Sequence, residues 1–210
     1  MTAAAGVLLA IAAVCAVIDW VAVHHDHRPV EYVFKPLTLV ALTATAVALD
    51  PFDSTVRTWF VVALVLSLVG DVFLMLPDDR FVPGLVSFLS AHVAYIVGMI
   101  LAGLDPLAVI AGVLIVAAAG VVVGQRVLAG VRRTAPGMLG PVVVYMVVIS
   151  AMVVGAVGTG RALAIAGALS FYASDSLIAW GRFVKAHDWG RLAVMVTYHV
   201  GQALLVLSLV

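Results

Sequence analysis

The chain has 210 residues, 65% hydrophobic and 10% charged, with 11 Lys+Arg against 11 Asp+Glu and a mean hydropathy of +1.23. A soluble domain carries about 25% charged residues, so this composition excludes an ordinary globular domain, a disordered chain and, for want of a basic surplus, a nucleic-acid binder. It describes an all-α polytopic membrane bundle with little mass outside the bilayer, and its one cysteine, Cys15, excludes an internal disulfide and a multi-cysteine metal cluster.

A membrane helix needs roughly 20 mostly apolar residues. Eight stretches qualify, at 3–23, 34–49, 59–76, 85–103, 106–124, 138–157, 162–181 and 191–210, within one integral membrane domain spanning 1–210. The first has no basic residues before its apolar run, and that run is too long for a signal-peptide core, so it reads as a retained helix. Asp19, beside Trp20 near its end, reads as an interfacial residue. The His24-His25-Asp26-His27 run reads as a solvated loop rather than a metal tract. The second span opens at Lys35-Pro36, with proline in a tolerated first-turn position. Asp50-Pro51, Pro77-Asp78-Asp79, Asp105-Pro106 and Thr134-Ala135-Pro136-Gly137 punctuate the later loops. Trp20, Trp59, Trp180 and Trp189 fall near span ends, where an aromatic belt sits.

Basic residues divide unevenly. Loops 1, 3, 5 and 7 with their flanks hold Arg28, Lys35, Arg80, Arg126, Arg132, Arg133, Arg182, Lys185 and Arg191, and the even loops hold Arg57 and Arg161. The positive-inside rule then puts the odd loops in the cytoplasm and both termini outside.

Ionisable residues within spans are costly and face a cavity or a partner. Here they are Asp19, Lys35, Asp71, His92, Asp175 and His199, accompanied by Tyr95, Tyr145, Tyr172, Tyr198, Ser174, Ser176 and Gln202. Apart from Asp19, the charged and histidine positions, with Tyr145 and Tyr198, all fall in the half-membrane nearest the odd loops. That points to a shared cavity opening on the cytoplasmic side. His92 with Tyr95, Tyr172 with Asp175, and Tyr198 and His199 with Gln202 are spaced to share helix faces. Asp71 follows Pro36 by 35 positions and Asp175 follows Pro141 by 34. This echo suggests two four-helix parallel repeats, which would bring the two acids to similar depth.

Two buried carboxylates suit general acid–base chemistry, one acting as acid and the other as base, with histidine tuning the pair or relaying protons. The same acids can instead be structural, pairing with Lys35 or with neighbouring helices. Two His and two Asp can also form a metal shell, but their spacing matches no ligand motif and no metal is expected. Lys35 suits a lipid phosphate or snorkelling to the interface. No Gly-rich phosphate loop fits between the spans, so no organic cofactor is expected. A proton- or cation-coupled transporter is the rival reading of the Asp/His cluster. It calls for polar residues through both leaflets, and here the outer halves are almost wholly apolar.

The ordered set of Lys35-Pro36-Leu37-Thr38, Gly70-Asp71-Val72-Phe73-Leu74, Ala91-His92-Val93-Ala94-Tyr95, Ser174-Asp175-Ser176 and Tyr198-His199-Val200-Gly201-Gln202 resembles the YhhN-like lysoplasmalogenase family of eight-span membrane enzymes. The resemblance covers about 35–202. It implies hydrolysis of the vinyl ether of a single-chain phospholipid, releasing a fatty aldehyde and a glycerophospho-head group. Asp71 and Asp175 would then supply acid and base. His92, Tyr95, Tyr145, Tyr198, His199 and Gln202 would bind or tune, and Lys35 would engage the head group. Another lysolipid can be the substrate of the same cavity. The expected location is a bacterial inner membrane.

Overall fold

The computed structural model describes residues 1–78 and 80–210. Asp79, part of the Pro77-Asp78-Asp79 turn, lies outside the described residues. Eight helices are long and apolar enough to cross a membrane: α1 (Ala3–His24), α2 (Arg28–Ala48), α3 (Ser54–Met75), α4 (Phe81–Leu101), α5 (Pro106–Thr134), α6 (Leu139–Gly158), α7 (Ala162–Phe183) and α8 (Gly190–Leu207).

Local chemistry sets several ends. Thr2 caps α1 by accepting from the Ala5 amide, Asp53 caps α3 through Thr55 and Val56, and Asp105 caps α5 through Ala108 with Pro106 behind it. Gly103 and Gly160, at φ +91° and +66°, let the chain turn after α4 and α6.

Two boundaries differ from the sequence expectation for physical reasons. Pro36 does not start α2; the helix begins at Arg28, with Pro29 in its first turn and Pro36 inside it. The opening turns carry Arg28 and Glu31, which hid them from a search for apolar runs, yet Glu31 is buried under Arg191 at 2.7 Å. The fifth span does not stop at 124. A π-helical segment, Gly120–Gly124, joins Pro106–Ala119 to Gln125–Thr134. The last part looks polar in sequence, but Val127, Gly130 and Val131 are buried on one face.

The closest helix pairs are α1 with α2, α3 with α4, α7 with α8, and α5 with α6. Glycines permit the approach. At Gly167 and Gly201 an added Cβ would stand 2.9 Å from backbone atoms of the facing helix. Hydrophobic attraction between helices is absent in lipid, so close packing of this kind carries association. Between the hairpins, α4 meets α6 as α2 meets α8, and α2 meets α3 as α6 meets α7. A two-fold axis along the membrane normal would interchange these pairs, but it would also relate α1–α8 to α4–α5, and among the described residues only α1 and α8 meet closely. Leu107, Leu114 and Val121 on α5 are largely uncovered, the surface expected against acyl chains.

Candidate active site

Two polar clusters lie among the helices. In the first, Lys35 Nζ on α2 is 3.1 Å from Asp71 Oδ1 on α3, and the Tyr198 hydroxyl on α8 donates to Asp71 Oδ2 at 2.8 Å. All three side chains are buried. In the second, the Tyr145 hydroxyl on α6 donates to Asp175 Oδ2 on α7 at 2.5 Å. His92 Nε2 on α4 lies 2.9 Å from Tyr145 Oη and 3.2 Å from the same Asp175 oxygen. His92 Nδ1 faces the Met152 sulfur at 3.2 Å. A thioether accepts and never donates, so both ring nitrogens of His92 face acceptors.

Helix 3 thus finds its partner on helix 8, and helix 7 finds its partner on helix 4. Phe171 stands between the two clusters, edge-on to His92 at 4.9 Å and to Tyr198 at 5.2 Å between centroids. The two carboxylates remain within electrostatic reach of each other.

A cavity of about 760 Å³, its open mouth included, runs along the second cluster. Its wall is largely apolar, with Leu85, Phe88, Val127, Met146 and Ile149 among the contributors, and Tyr145, Tyr172, Asp175 and Ser176 supply its polar groups. Val123 and Gly124 of the π-helical segment form part of the same wall. Among the described residues Asp175 is the one carboxylate lining it, and its side chain is 11% exposed against 2% for Asp71. The apolar cavity carries a carboxyl and a phenol on its wall, and the buried His92 imidazole is bonded behind them.

The sequence profile of the YhhN family matches residues 30–209. The chain belongs to the YhhN family. It is 34% identical over 146 residues to the human protein named lysoplasmalogenase TMEM86B, covering 70% of this chain and 61% of that one, so the match spans about three fifths of the human relative. It is 35% identical over 190 residues to the lysoplasmalogenase of Mycobacterium tuberculosis (strain CDC 1551 / Oshkosh), covering 85% of this chain and 70% of that one. The rat lysoplasmalogenase TMEM86B is 33% identical over 175 residues, 83% of this chain and 70% of its own length. No solved structure matches the chain.

Within this YhhN-family protein the nine residues singled out from sequence fall into three groups. Asp71, Lys35 and Tyr198 meet, and so do Asp175, His92 and Tyr145. Tyr95, His199 and Gln202 sit deeper. The Tyr95 hydroxyl donates to Gln202 Oε1 at 2.6 Å, while His199 Nδ1 accepts from the Trp20 indole at 3.1 Å. Lys35, expected at a head group, has its ammonium turned onto Asp71.

Asp19 is a correction. It is not interfacial but wholly buried, with neither carboxylate oxygen hydrogen-bonded, and it interacts electrostatically with Lys35 and Asp71. Trp20 likewise turns its indole N–H inward to His199 instead of serving only as a belt residue. The His24 to His27 run is exposed. Among the described residues no group of three or more His, Cys, Asp or Glu converges as a metal site.

Sequence reasoning missed Met152 and Phe171, which hold His92, because aliphatic and aromatic core residues carry no chemical signature. It also missed a polar pocket at the odd-loop end, lined by Arg28, Tyr32, Arg80 and Arg182 with Leu74, Met75, Leu76, Pro77 and Phe81. Those arginines were counted for topology alone.

Proposed function

We propose that this protein is a lysoplasmalogenase that hydrolyses the vinyl ether of a single-chain phospholipid to a fatty aldehyde and a glycerophospho-head group. The observation that carries the reading is the apolar cavity whose one lining carboxylate among the described residues, Asp175, is bound to Tyr145 and His92. The names of the relatives from human and Mycobacterium agree with it.

The chemistry requires one proton carried between Asp175 and His92, which lie in hydrogen-bond contact. Cleavage begins when the proton held by Asp175 and His92 passes to the vinyl carbon remote from oxygen. The double bond becomes a C–H bond, and positive charge spreads over the other carbon and the ether oxygen. Asp71, held in place by Lys35 and Tyr198 on the far side of Phe171, is assigned the supporting role of tuning the field at Asp175. A water then adds to the cationic carbon and gives a proton back to Asp175. The resulting hemiacetal collapses: Asp175 returns the proton to the ether oxygen as the C–O bond breaks, and takes up the proton of the remaining hydroxyl. One water is consumed, one aldehyde and one alcohol are formed, and the carboxyl ends as it began. Tyr95, His199 and Gln202 shape the surrounding core. The odd-loop end faces the cytoplasm by the positive-inside rule, so the head group is drawn from the cytoplasmic leaflet and the aldehyde leaves into the lipid.

The test uses detergent-purified protein, wild type beside Asp175→Asn, given lysoplasmalogen and separately the matching ester lysophospholipid. Aldehyde from the wild type alone is the expected result, with a loss of about 10²–10⁴-fold in the variant. Free fatty acid from the ester, with no aldehyde, would replace the vinyl ether with ester chemistry. Neither product from folded protein would shift the reading to transport.

A further inference from the structure

We propose that the Ser176 hydroxyl binds the free hydroxyl on the middle glycerol carbon of the lipid, and so selects a single-chain substrate. This rests on the lysophospholipid reading above and names the side chain that senses the missing second acyl chain.

Helix α7 carries four hydroxyls in two i,i+4 pairs, and the pairs face different ways. Ser170 donates to the Thr197 carbonyl at 2.8 Å and Ser174 to the Val194 carbonyl at 3.0 Å, so both hold α8. Tyr172 and Ser176 stand on either side of Asp175 in the chain and line the apolar cavity with it. Neither of their hydroxyls is hydrogen-bonded among the described residues.

Ser176 is the more unusual of the two. A serine or threonine inside a helix readily donates to the carbonyl four residues back. Thr38, Ser90 and Thr197 do so here, at 2.8, 2.9 and 2.7 Å. Ser176 makes no such bond, and its hydroxyl stands half-buried on a largely apolar wall. It keeps both a donor and acceptor sites for a ligand.

The cavity sets the direction of the lipid. Phe81 begins α4 and Phe183 ends α7, both at the odd-loop end, while Phe88, Ile149 and Tyr172 line the space deeper in the bundle. A lipid entering at the odd-loop end has its glycerol nearer the loops and its chain deeper. From loop to interior the order along α7 is Ser176, Asp175, Tyr172. In the same direction the lipid presents its C2 hydroxyl, its ether oxygen and then its vinyl carbons. The two lipid oxygens sit on adjacent carbons, three single bonds apart, about 3–4 Å. Neighbouring Cα atoms of the helix are about 3.8 Å apart. A vinyl ether at Asp175 thus places the C2 hydroxyl at Ser176 and not at Tyr172. Without that partner the hydroxyl would lose its water against an apolar wall and gain nothing in return. A lipid acylated at C2 offers Ser176 no donor and has to seat a second chain at the same point.

The test compares two substrates that differ only at C2: an alkenyl lysophospholipid and its 2-deoxy analogue, in which hydrogen replaces the hydroxyl. Aldehyde release by the full chain in detergent gives kcat/KM for each, and the ratio is read for wild type, Ser176→Ala, Ser176→Thr and Tyr172→Phe. Comparing ratios between variants cancels the intrinsic reactivity of the two ethers. The wild type is expected to favour the hydroxyl lipid about tenfold, as for one hydrogen bond whose buried partner is otherwise left unpaired. Ser176→Ala should bring the ratio close to one, with the change in KM, because this bond is made equally before and during cleavage. Alanine favours the helix, so this variant removes the hydroxyl alone. Ser176→Thr keeps a hydroxyl and should keep most of the ratio, and Tyr172→Phe should leave the ratio at its wild-type value. A second arm needs no turnover: binding of the saturated 1-O-alkyl lysophospholipid and of its 2-deoxy analogue, read by tryptophan fluorescence or calorimetry.

An unchanged ratio in Ser176→Ala overturns the inference. If turnover of both lipids falls equally in that variant, the hydroxyl serves the attacking water instead. A ratio lost in Tyr172→Phe and kept in Ser176→Ala would move the contact to the tyrosine. Aldehyde release with an unchanged ratio would sink this inference and leave the hydrolase standing. No aldehyde from the wild type, with a binding preference for the hydroxyl lipid that Ser176→Ala abolishes, would do the reverse.

Discussion

Replacing Lys35 with methionine keeps the length and apolar stem of the side chain and removes only its charge, leaving Asp71 ionised in a nearly dry site. At 3.1 Å the pair attracts by about 5 kcal/mol with an effective dielectric near 20. Desolvation of both groups offsets much of that, so the intact pair adds little net stability. Breaking it is different. The abandoned charge keeps its desolvation penalty and only Tyr198 as donor, and the expected loss is about 3–5 kcal/mol. For a chain of this size that corresponds to a fall in Tm of about 10 °C. Adding Asp71→Asn should recover most of the loss, because no uncompensated charge then remains. Activity should not return in the double variant if Asp71 supplies charge to the reaction. Thermal unfolding in detergent by circular dichroism, with the double-mutant cycle, measures the coupling. If the two single losses simply add, the ion pair is not acting as described, and the argument for a fixed charge at Asp71 fails with it.

Tyr145→Phe removes the 2.5 Å bond to Asp175 and the contact to His92, and should lower kcat by about 10–100-fold with KM little changed, since a bond to a charged group is worth about 1.5–3 kcal/mol. An equal effect on KM and none on kcat would point to binding instead. Gly201→Ala sets a methyl 2.9 Å from the Phe171 amide nitrogen and 3.0 Å from the Gly167 carbonyl; it should separate α7 from α8, cost about 1–3 kcal/mol, and show as a lower unfolding temperature. Asp53, which accepts from the Val56 and Thr55 amides, has its carboxyl held below the usual aspartate range by those backbone bonds. Its contribution is therefore complete above the unfolded pKa near 4 and lost as pH falls through the lower folded value. The gap in unfolding temperature between wild type and Asp53→Ala should be full at pH 7 and narrow below pH 4, and a gap independent of pH would refute the capping account.

The eight spans were legible because lipid demands long apolar runs, and that demand is written in composition. Asp71, His92 and Asp175 stood out for the same reason, being expensive where they lie. Partnerships were another matter. That Lys35 turns to Asp71 and away from lipid depends on α2 continuing through Pro36 and on which face of α8 meets α3, neither of which hydropathy reports. Asp19 was misplaced because closeness to a helix end stands for exposure only when no neighbouring helix covers that end, and α2 and α8 cover it. The amphipathic tail of α5 escaped because one buried stripe of Val127, Gly130 and Val131 averages away among charged neighbours.

The π-helical segment of α5 has a consequence for how the cavity can change. A π turn carries one residue more than the α turn it replaces, so everything beyond it is rotated by about 100° from where an unbroken helix would put it. Upstream, Gly112 presses against Val154 and Val157 of α6; downstream, Gly130 presses against Phe183 of α7. One helix thereby serves two seams whose registers are independent. Losing or gaining a residue between Gly120 and Gly124 would swing Val123 and Val127 around the cavity and leave the α5–α6 seam intact. The shape of the cavity can thus be reset at a single joint, without rebuilding the carboxyl of Asp175 and the phenol of Tyr145 that line it.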